Sequence, residues 1–110
     1  MTDDLTLSQL AQRLQQFADA RDWAPFHSPK NLASALTVEA SELLEHFQWL
    51  TEDQSRHLDA DKREAVALEM ADVLLYLVQL SSALGVNLMD AAQRKMVLNA
   101  QKYPAVRRED

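Results

Sequence analysis

The 110-residue sequence predicts an all-α fold: a single domain over residues 1–110, core about 7–104, built as a four-helix bundle-like subunit. Three observations lead there. Apolar residues recur at spacings of three and four along most of the chain, the period of one helix face. One glycine and three prolines leave too few turn formers for a strand-rich fold. Glycine, proline and capping residues also fall where helices would start and stop.

Leu7, Leu10, Ala11, Leu14, Phe17 and Ala18 make the apolar face of a first helix, with Thr6 or Asp4 as its cap. The stretch from Asp22 to Ser28, with Pro25, breaks that pattern. Ser28 followed by Pro29 starts a second helix: a side-chain acceptor, then a proline where no amide donor is needed. It is expected to run to about Trp49. Thr51-Glu52-Asp53-Gln54 reads as the capping box of a short helical turn. A third helix spans about Asp61 to Leu84 and stops at Gly85, which suits a left-handed cap. Asn87, with Asp90 three residues on, opens a fourth helix that ends near Tyr103-Pro104. The tail Arg107–Asp110 is expected to fray.

From Ala65 to Leu80 the third helix is apolar nearly all round, which predicts burial on all sides. Three other helices in so short a chain supply that cover poorly, so an assembly of more than one chain is expected, with this helix near the interface.

Composition narrows the function. With 17 acidic against 11 basic residues the net charge is −6, which excludes the basic footprint of a general nucleic-acid binder. The absence of cysteine excludes disulfides, thiolate chemistry and cysteine zinc sites. The lone glycine excludes glycine-rich phosphate loops. Met1-Thr2-Asp3-Asp4 lacks the basic and apolar regions of a secretory leader. The apolar run Val73–Val78 falls far short of the roughly 20 residues of a membrane helix, so no membrane association is expected. A cytoplasmic protein is the resulting expectation.

Two polar stripes interrupt this pattern. Glu69, Asp72, Tyr76 and Gln79 follow one another by three, four and three residues, and so share one face of the third helix. Glu39, Glu42, His46 and Trp49 repeat the spacing on the second, flanked by Glu45. Taken alone, the glutamates read as a solvated face. Asp72, among Ala71, Val73, Leu74 and Leu75, is harder to place in water. A buried carboxylate needs a partner, either a basic residue or a divalent cation. The nearest basic residues in sequence, Lys62 and Arg63, lie at least two turns back. Two facing helices with carboxylates at i and i+3 form an all-oxygen cage, which favours Mg²⁺ or Mn²⁺ over iron or zinc.

Lys95, Asn99 and Lys102 make a basic, amide-bearing face on the last helix. Lys30 and Asn31 stand at the start of the second, where free amides favour anions. Both sets also suit plain surface solvation. Trp23, Trp49 and Tyr76 are candidates to stack a flat base, although core packing is the commoner fate of tryptophan.

At these residues the sequence resembles the MazG-like all-α nucleoside triphosphate pyrophosphohydrolases. The resemblance rests on Glu39-Ala40-Ser41-Glu42-Leu43-Leu44-Glu45-His46-Phe47-Gln48-Trp49 and on Glu69-Met70-Ala71-Asp72-Val73-Leu74-Leu75-Tyr76-Leu77. Trp23-x-x-Phe26-His27-x-Pro29-Lys30-Asn31-Leu32 and Lys95-x-x-x-Asn99-x-x-Lys102-Tyr103-Pro104 resemble the dCTP pyrophosphatase branch. The resemblance implies a dimer or dimer of dimers with sites at subunit interfaces. It further implies Mg²⁺ on Glu39, Glu42, Glu69 and Asp72, with Glu45 as a further ligand or water-orienting base. Catalysis would then fall to Glu42 and Glu45. Trp23, His27, Trp49 and Tyr76 would line the base and sugar pocket, and Lys30, Asn31, Lys95, Asn99, Lys102 and Tyr103 would contact phosphates or close the site. The reaction implied converts a nucleoside triphosphate and water into the monophosphate and pyrophosphate. Three other readings compete. A phosphoribosyl-ATP pyrophosphohydrolase would share the architecture. A non-catalytic helical dimerisation module explains the apolar third helix but not Glu69 and Asp72. A ferritin-like protein would bind iron.

Overall fold

In the computed structural model, which describes residues 4–107, the chain is helical throughout, with no strand among the described residues. Five helices follow in order: α1 (Leu7–Asp19), α2 (Pro29–Glu45), α3 (Glu52–Arg56), α4 (Ala60–Leu84) and α5 (Leu88–Lys102). A single 3-10 turn, Ala24–Phe26, stands between α1 and α2. Met1–Asp3, and the part of the tail expected to fray from Arg108 on, lie outside the described residues.

Local chemistry sets most boundaries. Thr6, rather than Asp4, caps α1, and Gln9 returns the bond to the Thr6 amide. Ser28 accepts from the Asn31 amide ahead of Pro29, and Thr51 forms the expected box with Gln54. Asp59 caps α4 by accepting from the Lys62 amide, so that helix begins at Ala60. It ends at Gly85, whose φ of 67° a residue with a side chain would adopt only under strain. Asn87 accepts from the Asp90 amide and starts α5.

The second helix is shorter than its periodicity predicts. It stops at Glu45, and His46–Trp49 are turns. The backbone tightens there: the amide of His46 bonds the Leu43 carbonyl and that of Phe47 the Leu44 carbonyl, one residue closer than α-helical bonding. Trp49 therefore leaves the acidic stripe and stands 87% exposed.

α2 lies along α4 as the main helix pair, and α1 packs on α4 beside it. Ala18, Leu32, Val66 and Val78 form the buried core of this three-helix layer. The expected four-helix bundle is not closed within one chain, because α5 packs on none of these helices to a similar extent. No residue of α5 is buried, and Met96, Val97 and Leu98 face outward.

The burial expected all round α4 is likewise confined to one side. Leu68, Met70, Leu74 and Leu84 are exposed, and so is Asp72, because α1 and α2 cover only one flank. Extents of 58 × 36 × 35 Å and a radius of gyration of 17.6 Å, against about 13 Å for a compact domain of this length, describe an open shape. The accessible surface is 9241 Å², where a compact monomer of this size exposes about 6,200 Å². The comparison of the Val73–Val78 run with a membrane span also needs correction. The helix containing it, α4, has 25 residues and is long and apolar enough by length and composition to cross a bilayer. Core helices of soluble proteins meet the same description, and Glu69 and Asp72 near its middle would be costly in lipid.

Candidate active site

The acidic stripes meet where α2 faces α4. Glu39 from α2 and Glu69 and Asp72 from α4 bring one carboxylate oxygen each within 4.8 Å of one another. Oxygens this close repel strongly when all are ionised. The Glu39 pKa is accordingly raised above its ordinary 4.5, first by the side-chain contact with Glu69, which favours a shared proton, and then by desolvation. The charges of Asp72 and Glu69 push the same way, while the contact with Glu42 opposes them. Glu42, one turn on, is also raised, chiefly by its contact with Glu39 and by the charge there, then by desolvation and by the charge of Glu45. Glu42 stands beside the three-carboxylate cluster rather than in it, and Glu45 is exposed at the last turn of α2.

Glu39 Oε2 is buried and has no hydrogen-bond partner among the described residues. A buried carboxylate oxygen without a donor is costly, and a divalent cation between three carboxylates would satisfy it. The residues present therefore fit a hard cation held by oxygen. His46 Nε2 lies 3.8 Å from Glu69 Oε1, beside the cluster. It was legible as a member of the α2 stripe, since it follows Glu42 by four.

Next to the cluster is a pocket of about 160 Å³ lined by Leu14, Phe17, Trp23, His27, Asp72, Leu75, Tyr76 and Gln79. Asp72 thus belongs to both cluster and pocket. The local fold explains the aromatic wall. Asp22 adopts a left-handed φ of 55°, which Asp tolerates better than most residues, and the chain reverses there. The Trp23 amide then bonds the Ala18 carbonyl, and the indole packs edge-on to Phe17 at 5.5 Å and beside His27 at 5.8 Å. Arg21 lies 3.4 Å over the Phe17 ring and donates to the Phe17 carbonyl. Phe17 and Arg21 were not singled out from sequence as site residues. Phe17 is on the apolar stripe of α1 and reads there as core, yet it is 46% exposed at this wall.

Trp23, His27 and Tyr76 are thus gathered with Asp72, while the remaining candidates lie elsewhere. Asn31 donates its side-chain amide to the Phe26 carbonyl, tying the 3-10 turn to α2. Lys30 is exposed beside it, about 13.5 Å along the helix axis from Glu39 by the rise per residue. Lys95, Asn99, Lys102 and Tyr103 are all exposed, and among the described residues no hydrogen bond or ion pair joins them to the cluster. Lys102 Nζ instead lies 5.4 Å from the Tyr103 ring.

Fold and site together define an all-α protein with an acidic cluster suited to a divalent cation and set against an aromatic pocket. The chain belongs to the MazG-like family, whose sequence profile matches residues 35–110. It is 42% identical over 102 residues to human dCTP pyrophosphatase 1, covering 91% of this chain and 60% of that protein. The mouse dCTP pyrophosphatase 1 is also 42% identical, over 90% of this chain and 59% of its own length. The chain thus spans about 60% of the length of these curated relatives. The crystal structure of a pyrophosphatase from Archaeoglobus fulgidus superposes with a TM-score of 0.85 at 37% identity, covering 96% of this chain and 98% of that one.

Proposed function

We propose that this chain is a Mg²⁺-dependent nucleoside triphosphate pyrophosphohydrolase, with dCTP or a related deoxynucleotide as substrate and nucleotide-pool control or house-cleaning as its role. The observation that carries the reading is the shared position of Asp72, at once in the three-carboxylate cluster and in the Trp23–His27–Tyr76 pocket. A base held among those side chains would direct its phosphates towards the acidic residues. The names of the human and mouse relatives support the same substrate class.

Mg²⁺, or Mn²⁺ in its place, bound by Glu39, Glu42, Glu69 and Asp72 would neutralise phosphate charge and acidify a water for attack at the α-phosphorus. Glu42 would accept a proton from the attacking water, with Glu45 aiming it or taking over that role. Trp23 and Tyr76 would hold the base, with His27 at the pocket wall, and Trp49, exposed in the turn after α2 and outside that lining, would have to reach the base from another copy. Lys30 and Asn31 would meet phosphate oxygens from the α2 start, and Lys95, Asn99, Lys102 and Tyr103 would offset charge on the leaving pyrophosphate.

The α5 residues stand clear of the cluster of their own chain, so they would serve a site completed by a second copy. We infer a homodimer or homotetramer in the cytoplasm. The excess accessible surface and the bare apolar flank of α4 support the assembly of more than one copy.

The test incubates the purified protein with each common ribo- and deoxynucleoside triphosphate and Mg²⁺, then resolves the products. Monophosphate with pyrophosphate is expected. Diphosphate with phosphate would place attack at the γ-phosphorus and overturn the mechanism.

A further inference from the structure

We propose that Gln79 reads the hydrogen-bonding edge of the base and so sets which nucleotide this protein prefers. The inference rests on the pyrophosphohydrolase reading above and deepens it by naming a specificity-determining residue. Gln79 is one turn beyond Tyr76 and two turns beyond Asp72 on the same face of α4. The three side chains therefore form a row that begins at the acidic cluster and ends at the far wall of the pocket. A nucleotide laid along that row with its phosphates at Asp72 puts its ring at Tyr76 and the edge of its ring at Gln79.

Position along the row gives that edge to Gln79, the other polar groups of the lining being the Tyr76 hydroxyl, the His27 ring and the Trp23 indole N–H. Leu14, Phe17, Trp23 and Leu75 offer apolar surface, which holds any base by stacking and distinguishes none. Asp72 is committed to the cluster. His27 sits against the Trp23 indole at 5.8 Å, at the mouth of the 3-10 turn. Gln79 alone among the lining residues carries an amide, with an acceptor and two donors in one plane. A planar pair of donor and acceptor matches the adjacent donor and acceptor on the Watson–Crick edge of a base.

Two further observations fit this role. The amide of Gln79 makes no hydrogen bond to any described residue, and its nitrogen and oxygen remain accessible to a ligand. Gln79 also lines a second cavity, of about 190 Å³, with Leu14 and His27 in common with the first. It stands on the wall between the two, with space to turn its amide either way.

The experiment compares the wild-type protein with Gln79→Met, which keeps the length of the side chain and removes the amide. Steady-state kcat/KM is measured for dCTP, dTTP, dUTP and dATP, and for 2-deoxyribose 5-triphosphate, which has no base. Binding of the corresponding monophosphates is measured by calorimetry as a readout independent of turnover. The expected result is that the ratio between the best and the poorest base collapses by about tenfold or more, the worth of one or two hydrogen bonds. The base-free substrate should be turned over as by the wild type. Unchanged base ratios in Gln79→Met, with an active wild type, would overturn the role of Gln79 alone. A wild type that cleaves no nucleoside triphosphate would overturn the pyrophosphohydrolase reading instead. A uniform fall for every substrate, the base-free one included, would mark Gln79 as structural and also overturn the inference.

Discussion

The α2–α4 seam and α5 are built from similar helical sequence and end in opposite states. The seam buries Leu32, Val66 and Val78 and gathers Glu39, Glu69 and Asp72 into one cluster. On α5 the apolar Met96, Val97 and Leu98 are more than half exposed, and Lys95 and Lys102 form no ion pair with any described residue. Cap quality does not separate them, since Ser28, Asp59 and Asn87 all accept from a backbone amide. The difference is whether a partner face lies in the same chain. Secondary structure here is a local property, and burial is a property of whatever covers the helix.

The largest effect should come from the seam's chemistry. Glu69→Gln or Asp72→Asn removes a carboxylate from the cluster and should lower pyrophosphate release by more than the roughly 10–100-fold seen when only an outer-shell partner of a metal is lost. The helical content should persist. In metal-free buffer Asp72→Asn should melt no lower than the wild type, because it relieves repulsion on Glu39. Wild-type turnover in either variant would remove the seam's claim to the site.

The next test sets one region against the other. Leu32→Ala empties a site only 2% exposed and should cost about 2–5 kcal/mol, read from chemical denaturation. Met96→Ala, at 70% exposure within one chain, should cost less than about 0.5 kcal/mol if α5 is bare in solution. A homo-oligomer that covers α5 breaks this contrast. The cost at Met96 then rises and depends on protein concentration, since dissociation and unfolding are linked.

What the sequence disclosed follows the same division. The caps at Thr6, Ser28, Thr51 and Asn87 were legible because each depends on residues three apart. Glu39, Glu69 and Asp72 were legible as neighbours because helical spacing fixes which side chains share a face. The end of α2 was not, since Phe47 and Trp49 continue the apolar rhythm past the point where the hydrogen bonding tightens. Nor were Phe17 and Arg21 as neighbours of Trp23, an arrangement that exists because Asp22 turns the chain back at positive φ. The burial expected of Asp72 failed for a different reason: periodicity marks an apolar flank but does not supply its cover.

The smallest expected effect concerns protons and metal at the seam. Glu39 and Glu42 have raised pKa values in the folded, metal-free protein, Glu39 first through its contact with Glu69 and Glu42 first through its contact with Glu39. Unfolded, both return to about 4.5. Between that value and the raised one, the folded state holds more protons than the unfolded state. Their contribution to stability is therefore fully present below the unfolded pKa and lost as pH rises through the folded one. Mg²⁺ competes for the same oxygens and needs them deprotonated, so its stabilisation grows over the range in which that of the proton fades. Melting temperature followed from about pH 4.5 to pH 7.5 should diverge between chelator and millimolar Mg²⁺, with the gap widening as pH rises. In Glu39→Gln the gap should shrink. Parallel curves in the wild type would mean that the cluster binds no cation, and the carboxylates of the seam would then be no more specialised than the lysines of α5.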